Sequence, residues 1–206
     1  MNEVISSYKT LSESCSFELK ESKSRFVAIA TPSQTIEDAM NLYAGVRKEY
    51  YDAAHFPFAY RLKPAGELYR YSDDGEPSGS GGKPVYDALV KHELANSMLV
   101  VVRYFGGVKL GVGGLKRAFF ETADQCLSYA KIREVIITER LQIQFEYKYI
   151  SAMMKLIEDD GVKISENKSE EECLLVLDVP VSIADEFRKK LLTVSNGSVK
   201  TDNPIS

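Results

Sequence analysis

The chain has 206 residues, 44% of them hydrophobic and 27% charged, with a net charge of −4 at neutral pH. This composition excludes a disordered or collagen-like chain, and the length suits one large domain or two smaller ones. Residues 1–138 carry equal numbers of acidic and basic side chains, so the negative balance lies in residues 139–206; bulk coating of nucleic acid is excluded, and any anion-binding surface is expected to be local and in the first part.

In chain order, Ser14 to Lys20 alternates apolar and polar residues and predicts a half-buried strand. A turn over Glu21 to Ser24 leads to a second strand, Arg25 to Ala30. Thr35 and Asp38 have the spacing of a capping box, and Ile36, Ala39, Met40, Tyr43, Val46 and Tyr50 follow helical spacing. Ala54 to Leu62 reads as a strand. Nine of the 13 glycines lie between Gly75 and Gly114, in two loops, Ser72 to Pro84 and Phe105 to Gly114. Between the loops, Pro84 to Leu94 predicts a short helix with proline in its first turn, followed by a valine-rich strand, Ser97 to Tyr104. Leu115, Ala118, Phe119, Thr122, Cys126 and Ala130 then mark one helix face.

Beyond Val135 the rhythm changes. Leu141 to Tyr149 alternates as a strand with one wet face. A helix over Ser151 to Asp159 stops at Asp160-Gly161. Strands at Val162 to Ser165 and Cys173 to Val179 flank a polar loop, Glu166 to Glu172. Ser182 and Asp185 open a last helix, and Asn196-Gly197 turns into a short final strand. The order β-α-β-β-α-β predicts a ferredoxin-like sandwich. The expected organisation is α+β, with residues 1–135 and 136–206 as separate domains.

The apolar run Met98 to Val102 is far shorter than the roughly 20 residues of a membrane-spanning helix, and the N-terminus has no signal-peptide pattern. Cys15, Cys126 and Cys173 are odd in number and far apart in sequence, so a reducing cytoplasm is expected. Their dispersion offers no zinc spacing.

The first glycine loop is not a P-loop: Pro77 stands where the first glycine belongs, and Pro84 follows Lys83 where a hydroxyl is needed. Asp73, Asp74 and Glu76 could hold a cation, but a turn in which the acids accept backbone N–H groups is the favoured reading; no metal or cofactor is expected. The second loop is not a dinucleotide fingerprint, because Lys116 occupies the third glycine's place. It is instead rich in positive charge. Arg103, Lys109, Lys116 and Arg117, with Gly106, Gly107, Gly111, Gly113 and Gly114 allowing close backbone approach, are expected to receive phosphate or an acidic protein patch at a helix N-terminus. His92 is expected to face solvent, Cys126 to be an inert core thiol, and tyrosines on apolar periodicity to be core.

The strings YRYSDDGEPSGSGGKPV (Tyr69 to Val85) and VVVRYFGGVKLGVGGLKRAF (Val100 to Phe119) resemble the signature of the IMPACT/YigZ family, supported by KSRF (Lys23 to Phe26) and AHFPFAYR (Ala54 to Arg61). The sequence departs from the family in Phe56-Pro57-Phe58, where a polar residue and a cysteine are usual, and in Ser80, where threonine is usual. The resemblance implies an N-terminal fold like domain 2 of ribosomal protein S5. It implies a ferredoxin-like C-terminal domain similar to domain V of elongation factor G. In eukaryotic relatives it implies translational control through binding an activator of an initiation-factor kinase. Three functions follow, in order of preference. The first is a non-enzymatic protein that binds RNA or the ribosome through the basic loop, with Lys23, Arg25, His55 and Arg61 completing the surface and the three acids shaping it. The second is an interaction module for an acidic protein. The third is an enzyme on a phosphorylated ligand, with Asp73, Asp74 and Glu76 holding Mg²⁺.

Overall fold

The computed structural model describes residues 5–169 and 172–202. It is a mixed α/β chain of two compact units, one over Ser7–Val135 and the other formed by the described residues from Ile136 onward with Ile5 and Ser6. Among the described residues, no helix is long and apolar enough to cross a membrane.

The first unit is built on a five-stranded antiparallel sheet. Its strands are β2 (Cys15–Glu21), β3 (Ser24–Pro32), β4 (Phe58–Leu62), β5 (Leu68–Ser72) and β6 (Ser97–Tyr104), in the order β2-β3-β6-β4-β5. Ser22 and Lys23 both take positive φ and close the β2–β3 hairpin, the geometry a two-residue hairpin needs. Helix α1 (Ile36–Glu49) covers one face, and α2 (Gly82–Lys91) and α3 (Gly111–Ser128) the other. On β3, Phe26, Ala28 and Ala30 join Val85, Leu89, Leu115 and Phe119 of α2 and α3. The intervening Val27 joins Met98, Val100 and Val102 against Ala39 and Val46 of α1. Strand β6 is therefore buried on both faces, which explains why it reads as an unbroken apolar run rather than an alternation. Thr35 and Asp38 do cap α1 reciprocally.

Three strands lie outside the sequence reading: β1 (Ser7–Leu11), which pairs with β7 (Ile132–Ile136), and the edge strand β5. β5 and β7 are largely exposed and carry no clean apolar alternation. The strand expected from Ala54 begins regular pairing only at Phe58; ahead of it, His55 makes an isolated bridge to Arg103. Helix α3 starts at Gly111, inside the stretch read as loop, so Lys116 and Arg117 lie beyond its first turn. Helix α2 likewise starts two residues early, at Gly82.

In the second unit, β8 (Thr138–Phe145), α4 (Ile150–Asp159), β9 (Lys163–Asn167), β10 (Cys173–Pro180), α5 (Ala184–Val194) and β11 (Lys200–Thr201) form an antiparallel sheet in the order β11-β8-β10-β9. Leu141, Ile143 and Phe145 pack with Leu175, Leu177 and Val179 beneath Met153, Ile157, Phe187 and Leu191 of the helices. The β8 alternation stops at Phe145, where residues 147–149 coil into a 3-10 turn. Ser182 does not cap α5; Ile183 takes the cap position without a side-chain bond.

Candidate functional site

The first glycine loop uses its acids internally. Asp73 accepts hydrogen bonds from the backbone N–H groups of Gly79, Gly81 and Gly82, at 2.8, 2.9 and 2.8 Å. One carboxylate thus closes the loop and supplies the N-terminal acceptor that Gly81 lacks as a cap of α2. The loop lies tight on β5: a Cβ at Gly82 would sit 2.4 Å from the Ser72 carbonyl oxygen. Asp74 accepts from the Phe56 N–H at 2.8 Å, from the Tyr43 hydroxyl at 3.0 Å and from Arg47 at 3.2 Å. Glu76 is buried and receives Arg103 Nη1 at 2.6 Å. No described group of three or more His, Cys, Asp or Glu is placed to hold a metal ion.

Arg103 is therefore corrected from a free surface cation to a buried one, its side chain 7% exposed against 2% for Glu76. Its guanidinium lies between the rings of Phe26 and Phe105, at 5.7 and 5.5 Å. Taking both ions from water is costly, and truncating either partner would strand the other's charge. His55 stands beside the pair, Nε2 at 4.0 Å from Glu76. Its Nδ1 lies 2.9 Å from the Asp74 carbonyl; a carbonyl only accepts, so Nδ1 carries the proton. The sequence reading missed this convergence, since Glu76 and Arg103 are 27 positions apart.

The second loop rises from this base. Gly106 is required by contact: a Cβ there would meet the Lys23 carbonyl oxygen at 1.9 Å. Gly107 and Gly111 take positive φ, and Gly111, Gly113 and Gly114 form the first turn of α3. That turn has no side-chain cap and no acidic residue, so its N–H groups and the positive end of the helix dipole are unopposed. A groove of about 530 Å³ lies before it, lined by Glu76 of the first glycine loop, by Phe105, Lys109 and Val112 of the second loop and helix start, and by His55 and Arg103 beside them. The lining contains no hydroxyl or thiol nucleophile.

Around α3, Lys109, Lys116 and Arg117 are exposed and make no ion pair among the described residues, and Lys23 shares that state in the neighbouring hairpin turn. Lys109 and Arg117 border a second cleft of about 460 Å³. Lys116 and Arg117 border a third, of about 300 Å³, with Lys83 and Phe120. Two expected members do not join them. Arg25 has the parity of Val27, pairs with Glu18 at 2.9 Å and stacks on Tyr104, on the α1 side. Arg61 donates to the carbonyls of Leu94 and Ala65 and borders a separate cleft with Lys9 and Glu93. Lys83, absent from the expected set, belongs to the surface and pairs with Asp87.

One further correction concerns a histidine set aside in the sequence. His92 does not face solvent; its Nε2 meets Asp124 of α3 at 2.8 Å, beside Lys91 at 2.8 Å. Cys15 and Cys126, far apart in sequence, bring their sulfurs to 3.6 Å. The hydrogen bond from Cys126 holds the half-buried Cys15 thiol below its ordinary pKa. Its own bond to Cys15, and then burial, hold Cys126 well above.

A mixed α/β protein of two units, with a basic glycine loop at a helix start, is thus defined. The Impact N-terminal domain matches residues 22–127. An IMPACT family member of Haemophilus influenzae is 31% identical over 88% of this chain and 89% of its own. The IMPACT family member YigZ of Escherichia coli is 31% identical over 86% and 88%. A crystal structure of a hypothetical protein, 28% identical, matches 96% of this chain and 97% of its own with a TM-score of 0.69. The chain belongs to the IMPACT family.

Proposed function

We propose that this protein is a non-enzymatic regulator associated with translation that binds RNA or the ribosome through the surface around the start of α3. The observation that carries the reading is the set of exposed cations Lys109, Lys116 and Arg117, unpaired among the described residues beside a helix N-terminus that has neither cap nor acid. Free N–H groups, the helix dipole and surplus positive charge all favour the same ligand, a phosphate. Family membership supports the translational setting. The strand order β11-β8-β10-β9 supports a ferredoxin-like second domain, and the sheet backed by α2 and α3 supports an S5-domain-2-like first one. A phosphoryl enzyme has less support, because Asp73, Asp74 and Glu76 already have protein partners.

A second reading, docking of an acidic protein, is favoured by Phe105, Val108 and Val112, which are 51%, 43% and 49% exposed beside Lys109. Cosedimentation with ribosomes and their subunits across a salt series tests the proposal. Binding that weakens with salt and disappears in a folded Lys109→Ala/Lys116→Ala/Arg117→Ala variant is the expected result. No sedimentation at any salt would overturn it. Nuclease-resistant capture of one acidic protein would then favour the second reading.

A further inference from the structure

The surface extends beyond the basic loop to a cluster of tyrosines on the edge strand. Tyr69 and Tyr71 are two residues apart on β5 and share a face of the sheet. Tyr86 of α2 sits between them, its ring centroid 5.0 Å from Tyr69 and 5.5 Å from Tyr71. Tyr69 and Tyr71 remain 52% and 41% exposed. One turn earlier on α2, Lys83 Nζ lies 5.6 Å from the Tyr86 ring. Lys83 also lines the 300 Å³ cleft that holds Lys116, Arg117 and Phe120. A continuous strip therefore runs from aromatic rings at the sheet edge to cations on α3. The cleft sets three cations against one acid, Asp87.

We propose that the RNA bound here is single-stranded, with bases stacked on Tyr69 and Tyr71 and phosphates held by Lys83, Lys116 and Arg117; this rests on the RNA reading above. The argument is one of complementary chemistry. An unpaired nucleotide offers a flat π-face and a phosphate on the same unit, and the strip offers exposed rings and cations side by side. A duplex keeps its bases stacked on each other, so it could engage the cations but would leave the rings idle. An acidic peptide would likewise use the charges without requiring flat rings. Tyrosine stacking tolerates any base, so the preference expected is for strandedness over sequence.

The test compares a single-stranded oligouridylate carrying one 2-aminopurine with a duplex RNA of equal length, across a salt series. Wild-type protein is expected to bind the single strand at least 10-fold more tightly and to change the 2-aminopurine fluorescence, a readout that needs no variant. Tyr69→Ala/Tyr71→Ala is expected to lose about 10-fold or more in single-strand affinity, with duplex binding and the salt slope unchanged. Tyr69→Phe/Tyr71→Phe, which keeps the rings, is expected to bind as wild type does. Equal or tighter duplex binding, or single-strand binding untouched in a folded Tyr→Ala variant, would overturn the single-strand assignment and leave RNA binding standing. Failure of both RNAs to bind at any salt would overturn the RNA reading with it.

Discussion

The two glycine-rich loops have similar composition and use their charges in opposite ways. In the loop from Ser72 to Gly82, Asp73 holds three backbone N–H groups, Asp74 ties the loop to α1 and to Phe56, and Glu76 is buried against Arg103. In the loop from Phe105 into α3, Lys109, Lys116 and Arg117 have no ionic partner among the described residues, and the helix start has no cap. The first loop's charges make the fold. The second loop's charges are surplus to it, and surplus charge of one sign beside open N–H groups is what a polyanion needs. A charge beside glycines is therefore no sign of a binding site until its partners are known.

The largest expected effect breaks the first loop. Arg103→Ala or Glu76→Ala should lower unfolding free energy by about 3–5 kcal/mol, since each strands a buried charge. Their double variant should lose less than the sum, which urea denaturation of all four proteins would check. Asp73→Ala should come next, at about 2 kcal/mol, because three donors and the start of α2 lose their acceptor. Asp73→Asn should fall between it and wild type in the same assay.

A smaller effect tests the link between α2 and α3. Burial disfavours the Asp124 carboxylate, but hydrogen bonds from Lys91 and His92 outweigh it and hold its pKa below the ordinary value. A lowered carboxyl pKa stabilises the fold above the unfolded value and is lost as pH falls through the folded one. Melting temperature should therefore drop below about pH 4, and Asp124→Asn should flatten that limb. The smallest effect on stability, and the sharpest contrast, is at Gly113. It is helical and a Cβ there would meet nothing within 4 Å. Gly113→Ala should stabilise by about 0.5–1 kcal/mol while weakening RNA binding, because the added methyl covers the helix start. In a separate labelling experiment, Cys15 should react with a thiol reagent first and at lower pH than an ordinary cysteine, ahead of buried Cys126 and Cys173.

What the sequence showed was what local chemistry dictates. The Thr35–Asp38 capping box closes over three residues, and Val100 to Val102 read as a buried strand because apolar residues cover both faces. Edge strands β5 and β7 bury too little to leave a periodic signal. The start of α3 was hidden because glycines at 111, 113 and 114 have loop propensity, and the packing of Leu115, Ala118 and Phe119 on the sheet overrides it. Arg103 could not be separated from Lys109 by sequence, since its burial depends on Glu76 in the other loop. Arg25 and Arg61 were misplaced for related reasons. The parity of β3 sends Arg25 to the α1 side, and Arg61 is held by carbonyls of Leu94 and Ala65 that only tertiary structure brings near. Tyr69 and Tyr71 share a strand face, but with β5 nearly unburied that pairing becomes legible only once the sheet order places the strand at an edge.

The most direct test of surplus charge is the salt dependence of single-stranded RNA affinity for wild type and for Lys109→Ala/Lys116→Ala/Arg117→Ala, with melting temperature measured on both. The predicted result is an unchanged melting temperature and a log–log salt slope shallower by about 0.7 for each phosphate no longer neutralised. A slope unchanged in a folded variant, or a loss of stability like that of Arg103→Ala, would contradict the account.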